Sequence, residues 1–473
     1  MNKKEYNFFL LNIYIIWIVI NLLLLLFVDN NTRISASADA LSWITPAKNF
    51  FLNHNFIENT EYSNQAVYRT PIIPIIISFS FIFTENDSYI PFIILQIIAT
   101  IFTSFLLIKL INNQKYIYKL ILVVIFLFNP NILSTTHLIQ SEIFTMLFFT
   151  LSFYFIAKHK KVENKLINAF IIGIFLGMAI LARPSIIFII FLLPIILYLL
   201  YCKSFKNIIR IEKNFNILLQ GFFSLFISLL ILFPWAYFVK SIEGNYTITS
   251  AESRYRFVWD QAIYAFALSE NISYKEALLK TERSKVHQLN YIECDSILDN
   301  SVERANCFNK LTKDGYKLFF SNPIEGHIKA FTRSIVQFFI SGGGQNFTNL
   351  MTPVNKKKLN NKAKDWKNKA HKRIMLFYDN NNLALVNTII TVTYATIMRI
   401  MAILGLIFIL KRKKYAYVLF ILGVLIYFAS IHIYHGSSRY RVPIEPILVY
   451  LSFYGFLFLK KFKKAGEVVN EKT

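Results

Sequence analysis

Glycine, cysteine and acidic residues are all scarce in this chain, and each scarcity narrows what it can be. Only 14 glycines stand against 47 phenylalanines in 473 residues, 55% of them hydrophobic, so the apolar content exceeds what one soluble core would bury. The three cysteines, Cys202, Cys294 and Cys307, show no zinc-site spacing. Cys294 and Cys307 share one long polar segment, where they either pair as a disulfide or remain free thiols. Acids number 27 against 51 Lys and Arg, a formal charge of +24. That excess does not signal nucleic acid, because the basic residues fall in short clusters between apolar runs and no basic soluble domain is evident. No repeat at a fixed period is present, which argues against a solenoid.

What is present is a series of apolar runs, each near the roughly 20 residues that cross a bilayer. About ten are expected to span: 8–28, 88–110, 119–135, 138–157, 167–182, 185–201, 216–239, 384–410, 415–434 and 443–459. The first, followed by Ala36-Ser37-Ala38, has the outline of a signal peptide, but its apolar stretch is too long for the usual one and a retained helix is expected. Lysine clusters set the direction. Lys3 and Lys4, Lys109 to Lys119, Lys158 to Lys165, Lys203 to Arg210, Lys411 to Lys414 and Lys460 to Lys464 all fall on the cytoplasmic side under one threading, with both termini there. This works only if Pro71 to Phe83, short and carrying two prolines, does not span.

Three regions then lie outside the cytoplasm: 29–87, 240–383 and the turn from His435 to Glu445. The expected architecture is an all-α polytopic membrane protein in three parts: a transmembrane module 1–239 that includes loop 29–87, a mostly helical extracytoplasmic region 240–383, and C-terminal helices with a basic tail at 384–473. Lys356 to Arg373 is basic yet outside, which calls either for a surface helix on anionic headgroups or for a further half-span near Ile335.

Charges at a membrane boundary are costly unless paired or facing water, so each is a site candidate. Asp39 in the first loop is either a solvated acid or a working one, and Arg69, before Pro71 and Pro74, either snorkels or serves the site. Glu142 opens a helix just after Asn129-Pro130 and His137, where it compensates the helix dipole or has a catalytic or metal role. Arg183, between two apolar runs, needs an anionic partner, supplied by a substrate or by Glu142. Arg439 and Arg441 stand outside against the charge bias. The threading puts these six residues on one face, where two carboxylates and several guanidiniums suit transfer from a lipid-linked phosphate: arginines stabilise the leaving phosphate and a carboxylate takes the acceptor's proton.

At these residues the chain resembles the GT-C glycosyltransferases, specifically family 39, which includes protein O-mannosyltransferases and the lipid A aminoarabinose transferase. Asp39, Trp43 and Ala47 are similar to the family's first-loop acid, aromatic and alanine; Arg69, Pro71 and Pro74 resemble its Arg-Pro-Pro-Gly-Tyr-Pro stretch without the Gly and Tyr. Asn129-Pro130 with Ser141-Glu142, Gly173 and Gly177 with Leu181-Ala182-Arg183-Pro184, and Arg439-Tyr440-Arg441-Val442-Pro443 resemble its later motifs in the same order. The resemblance implies a GT-C helix bundle in the cell membrane, of the bacterial inner-membrane kind. It implies inverting transfer of a sugar from a polyprenyl-phosphate donor to an extracytoplasmic lipid, glycan or protein. Asp39 would be the base or acceptor-orienting acid, assisted by Glu142, which together with His137 is also the candidate holder of a divalent metal. Arg69, Arg183, Arg439 and Arg441 would face the donor phosphate, and Trp43, Tyr68 and Tyr440 the sugar or acceptor. The competing class is a transporter or lipid flippase, which calls for charged or broken helices near the midplane and related halves; neither is evident in the sequence. A non-catalytic scaffold would leave the outer charges scattered.

Overall fold

The computed structural model describes residues 1–37, 39–56, 67–84, 88–159, 163–201, 211–280, 293–294, 296–297, 302–351, 382–431 and 438–470. It is 86% helix, with no strand among the described residues. Lys356 to Arg373, the cluster Lys203 to Arg210, Cys202, Glu61 and His435 lie outside them.

Six of the ten expected runs become helices long and apolar enough to cross a bilayer: Lys3–Phe27 (α1), Ile90–Leu110, Lys165–Ala182, Phe215–Glu243, Leu385–Lys411 and Ser438–Lys460. A seventh, Tyr116–Leu127 with Pro130–Thr136, is bent by 55°. The bend falls at Asn129-Pro130, where the missing proline N–H and the ring break the helical ladder. The runs at 185–201 and 415–434 form shorter apolar helices, as does Ile72–Phe83 (α4). With 12 residues, α4 is about 18 Å long, well under the hydrocarbon thickness. Glu142–Lys158 (α8) has 17 residues and is buried on all sides, which makes it the central helix of the bundle.

Side chains tie α1 into this bundle: Trp17 Nε1 donates to the Leu127 carbonyl at 2.8 Å, and Tyr14 bonds Ser104 at 2.8 Å. Lys165–Ala182 (α9) crosses Ile211–Glu243 (α11) closely. A Cβ at Gly173 would meet the Ser224 carbonyl at 2.6 Å, and Ser224 and Ser228 donate to the Ala169 and Gly173 carbonyls at 2.8 and 3.0 Å. Small residues at such a crossing let backbones approach and share hydrogen bonds, which fixes the end of α9 where Arg183 sits.

Outside the bundle core, a second core joins Ala251–Ser269 (α12), Tyr274–Lys280 (α13) and Val302–Ser321 (α14) through Tyr255, Trp259, Ile263, Phe308 and Leu318. Cys294 and Cys307 are joined as a disulfide beside it, with Cα atoms 5.6 Å apart. Ile335 lies in Ile324–Ile340 (α15), an amphipathic helix packed on α12 that is not among the helices long and apolar enough to cross a membrane.

Candidate active site

Asp39 stands at the N-cap of Ala40–Asn53 (α3) yet makes no side-chain capping bond, the use to which an N-cap aspartate is most often put. Its backbone carbonyl instead accepts from the Ser42 hydroxyl at 2.7 Å, and the carboxylate is left for arginines. Arg69 Nη2 is 3.1 Å from Asp39 Oδ1, and Arg69 Nε donates to Ser42 Oγ at 2.8 Å. The Arg69 guanidinium lies over the rings of Trp43 (4.7 Å) and Tyr68 (5.0 Å). Arg439 Nη2 donates to Asp39 Oδ2 across 400 residues of sequence.

Glu142 lies in the first turn of α8 and is 1% exposed. Pro184 holds Arg183 in the extended region (φ −149°), ending α9 and turning the side chain aside. Arg183 Nη1 donates to Glu142 Oε1 at 2.9 Å, so the partner that this arginine needs is Glu142. Arg439 Nε is 3.0 Å from the same oxygen, in an ion pair without hydrogen-bond alignment. Glu142 Oε2 is buried with no hydrogen-bond partner among the described residues. Tyr440 lies under both guanidiniums, Arg183 at 4.8 Å and Arg439 at 5.1 Å.

The result is one row, Arg69, Asp39, Arg439, Glu142, Arg183, in which three guanidiniums face two carboxylates and leave a net charge of +1. Burial raises the Asp39 pKa, but Arg439 and then Arg69 outweigh it and bring it to about 2.

Two of the expected site residues do not join the row. Arg441 is 1% exposed and donates to Glu445 (2.5 Å) and to the carbonyls of Phe338 and Ser341, with neither Asp39 nor Glu142 among its partners. In the 3-10 turn Ser438–Ile444, residues two apart point about 240° apart, so Arg439 and Arg441 diverge. Glu445 also receives Arg399 (2.8 Å) and Asn129 (3.2 Å), which draws Asn129-Pro130 into this second, buried cluster. His137, fully buried, points its Nε2 at Asn21 Oδ1 (2.9 Å) and not toward Glu142.

The described residues hold no group of three or more His, Cys, Asp or Glu suited to a metal ion. Asp39 and Glu142 are both engaged by arginines, so this donor set does not fit a divalent cation, which needs several convergent oxygens. Sequence reading missed Ser42, Arg399 and Glu445. Arg399 carried a signal, being a charge inside the apolar helix Asn382–Lys411 (α17); it and the bend at Asn129-Pro130 are a charge and a break that were not evident in the sequence.

The described residues thus form a nearly all-helical bundle with several apolar helices long enough to cross a membrane, and a row of arginines and carboxylates. Residues 73–243 match the family model described as dolichyl-phosphate-mannose-protein mannosyltransferase, a GT-C family, and this stretch, which includes α8 and α9, carries Glu142 and Arg183. No curated protein and no solved structure matches the chain. Over residues 73–243 the chain is similar to that family of membrane glycosyltransferases, and its apolar helices are those of a multi-pass membrane protein.

Proposed function

We propose that the chain moves a sugar from a polyprenyl-phosphate donor to an extracytoplasmic acceptor hydroxyl, with inversion at the anomeric carbon. The observation that carries this is Arg439, which bridges Asp39 and Glu142 at the centre of the row. The row holds one guanidinium more than it has carboxylates, which leaves it attractive to a further anion, and a donor phosphate would compete with Asp39 and Glu142 for Arg439 with bidentate geometry. Arg183, and Arg69 beyond Asp39, extend the positive field to which the leaving phosphate is drawn.

This arrangement also orders the steps. While Arg439 and Arg69 hold Asp39 low, its carboxylate is a weak base. Donor phosphate that draws Arg439 away raises the Asp39 pKa and readies it for the acceptor. The acceptor oxygen then forms its bond to the anomeric carbon and its proton passes to Asp39. The bond from that carbon to the phosphate oxygen breaks, and its electron pair leaves on polyprenyl phosphate. The buried oxygen Glu142 Oε2 suits a second hydroxyl of donor or acceptor.

The lysine clusters support a site on the outer face of the cell membrane with both termini in the cytoplasm. The test is to supply the purified protein in vesicles with a labelled polyprenyl-phosphate sugar. Release of polyprenyl phosphate and a product of inverted anomeric configuration are expected; an intact donor, or a product of retained configuration, contradicts the reading.

A further inference from the structure

One helix of the second core approaches the row beside Tyr68. Arg256 of α12 lies 5.8 Å over the Tyr68 ring, and Tyr68 precedes Arg69. Tyr264 of the same helix has its phenol pKa raised by burial, lowered by Arg333, and raised again by Asp260 and Tyr440, which places it within electrostatic reach of the residue after Arg439. Arg256, Asp260 and Tyr264 follow one another at four-residue spacing and so form one stripe, about 12 Å from first to last. Its Arg256 end meets the Arg69 flank of the row through Tyr68, and Asp260 lies about one turn and Tyr264 about two turns further along the helix. The second core is served by the neighbouring face of α12, through Tyr255, Trp259 and Ile263, while Tyr264 also packs against Ala265 and Ala330.

Tyr274 donates to Asp260 Oδ1 at 2.8 Å and its ring lies 4.7 Å from that of Tyr264, while Arg256 pairs with Glu252 at 2.6 Å. A half-buried carboxylate, a guanidinium and phenol rings are the groups that grip a sugar: the charged groups take its hydroxyls and the ring faces take its C–H faces. Peptides are more often seated on a sheet edge or in an apolar groove, and no strand exists among the described residues.

We propose that Arg256, Asp260 and Tyr264, with Tyr68 and Tyr440, form the acceptor subsite, and that the acceptor is a carbohydrate, either a free glycan or the sugar headgroup of a lipid. The assignment rests on the donor reading above. Asp260 binds one or more acceptor hydroxyls and presents the attacking one to Asp39.

The full-length protein is given a labelled polyprenyl-phosphate sugar and membrane extract from its own cells. Label is expected in carbohydrate, with organic-solvent partition telling a glycolipid from a free glycan. Asp260→Asn is expected to raise the amount of extract needed for half-maximal transfer about tenfold. Tyr274→Phe, which removes the internal hydrogen bond and keeps the carboxylate, is expected to stay within about twofold of the unaltered protein. Label released with peptides by protease overturns the proposal. So does an Asp260→Asn protein that transfers normally, or a Tyr274→Phe protein equally impaired, which marks a structural role. A donor left intact by the unaltered protein overturns the donor reading instead.

Discussion

Arg183 Nη1 meets Glu142 Oε1 at 2.9 Å where the end of α9 meets the start of α8, and this pair, 41 residues apart in sequence, ties together the far ends of two consecutive helices. Arg439 shares the same carboxylate oxygen, so Glu142 orients two of the three guanidiniums in the row. Glu142→Gln keeps the shape and removes the charge. Transfer is expected to fall by about 10² to 10³-fold in kcat, read as initial rates at saturating donor; a rate within twofold of the unaltered protein would remove Glu142 from the machinery.

The second cluster has a different role. Glu445 is fully buried between Arg399 and Arg441, and the Arg441 guanidinium in turn holds the carbonyls of Phe338 and Ser341 at the end of α15. Glu445→Gln leaves two buried guanidiniums facing each other, a loss of about 3 to 5 kcal/mol. A lower melting temperature in detergent is expected, accompanied by lower activity because Arg439 sits on the same 3-10 turn as Arg441. Unchanged melting would show the cluster to be dispensable.

The two clusters also show what a sequence can and cannot disclose. Lysine counts and the order of short motifs were enough to gather Asp39, Arg69, Glu142, Arg183 and Arg439, because each is a charge that a membrane face must explain. Arg441 was grouped with Arg439 because two-residue spacing carries no direction until the turn is known to be 3-10. Arg399 and Glu445 lie 46 residues apart, and only the packing of α17 on Glu445–Asn470 brings them together. The Asn129-Pro130 motif read as a neighbour of Glu142 instead bonds Glu445.

Acid should weaken the row through Asp39. Its folded pKa is about 2, below the ordinary value of 3.8, so its contribution is fully present above pH 3.8 and is lost as pH falls from there through 2. The shift corresponds to about 2 kcal/mol at most. Comparing melting temperatures of the unaltered protein and Asp39→Asn should show a gap at pH 7 that narrows below about pH 4; a gap that widens on acidification would contradict the ion-pair assignment.

The threading itself is open to direct measurement. Reporter fusions at Glu61 and Lys206 are expected on opposite sides of the membrane, Glu61 outside and Lys206 inside, because α4 is too short to add a crossing. Both reporters on one side would reverse the assignment of the basic clusters.

The central claim is that Asp39, held between Arg439 and Arg69, is the group that receives the acceptor's proton. Asp39→Asn retains the size of the side chain and removes its basicity, so transfer of label from a polyprenyl-phosphate sugar is the measurement that tests it. Transfer is expected to fall by at least about 10²-fold while the protein remains folded in the membrane and still binds donor. Transfer at the unaltered rate by a folded Asp39→Asn protein would contradict the account.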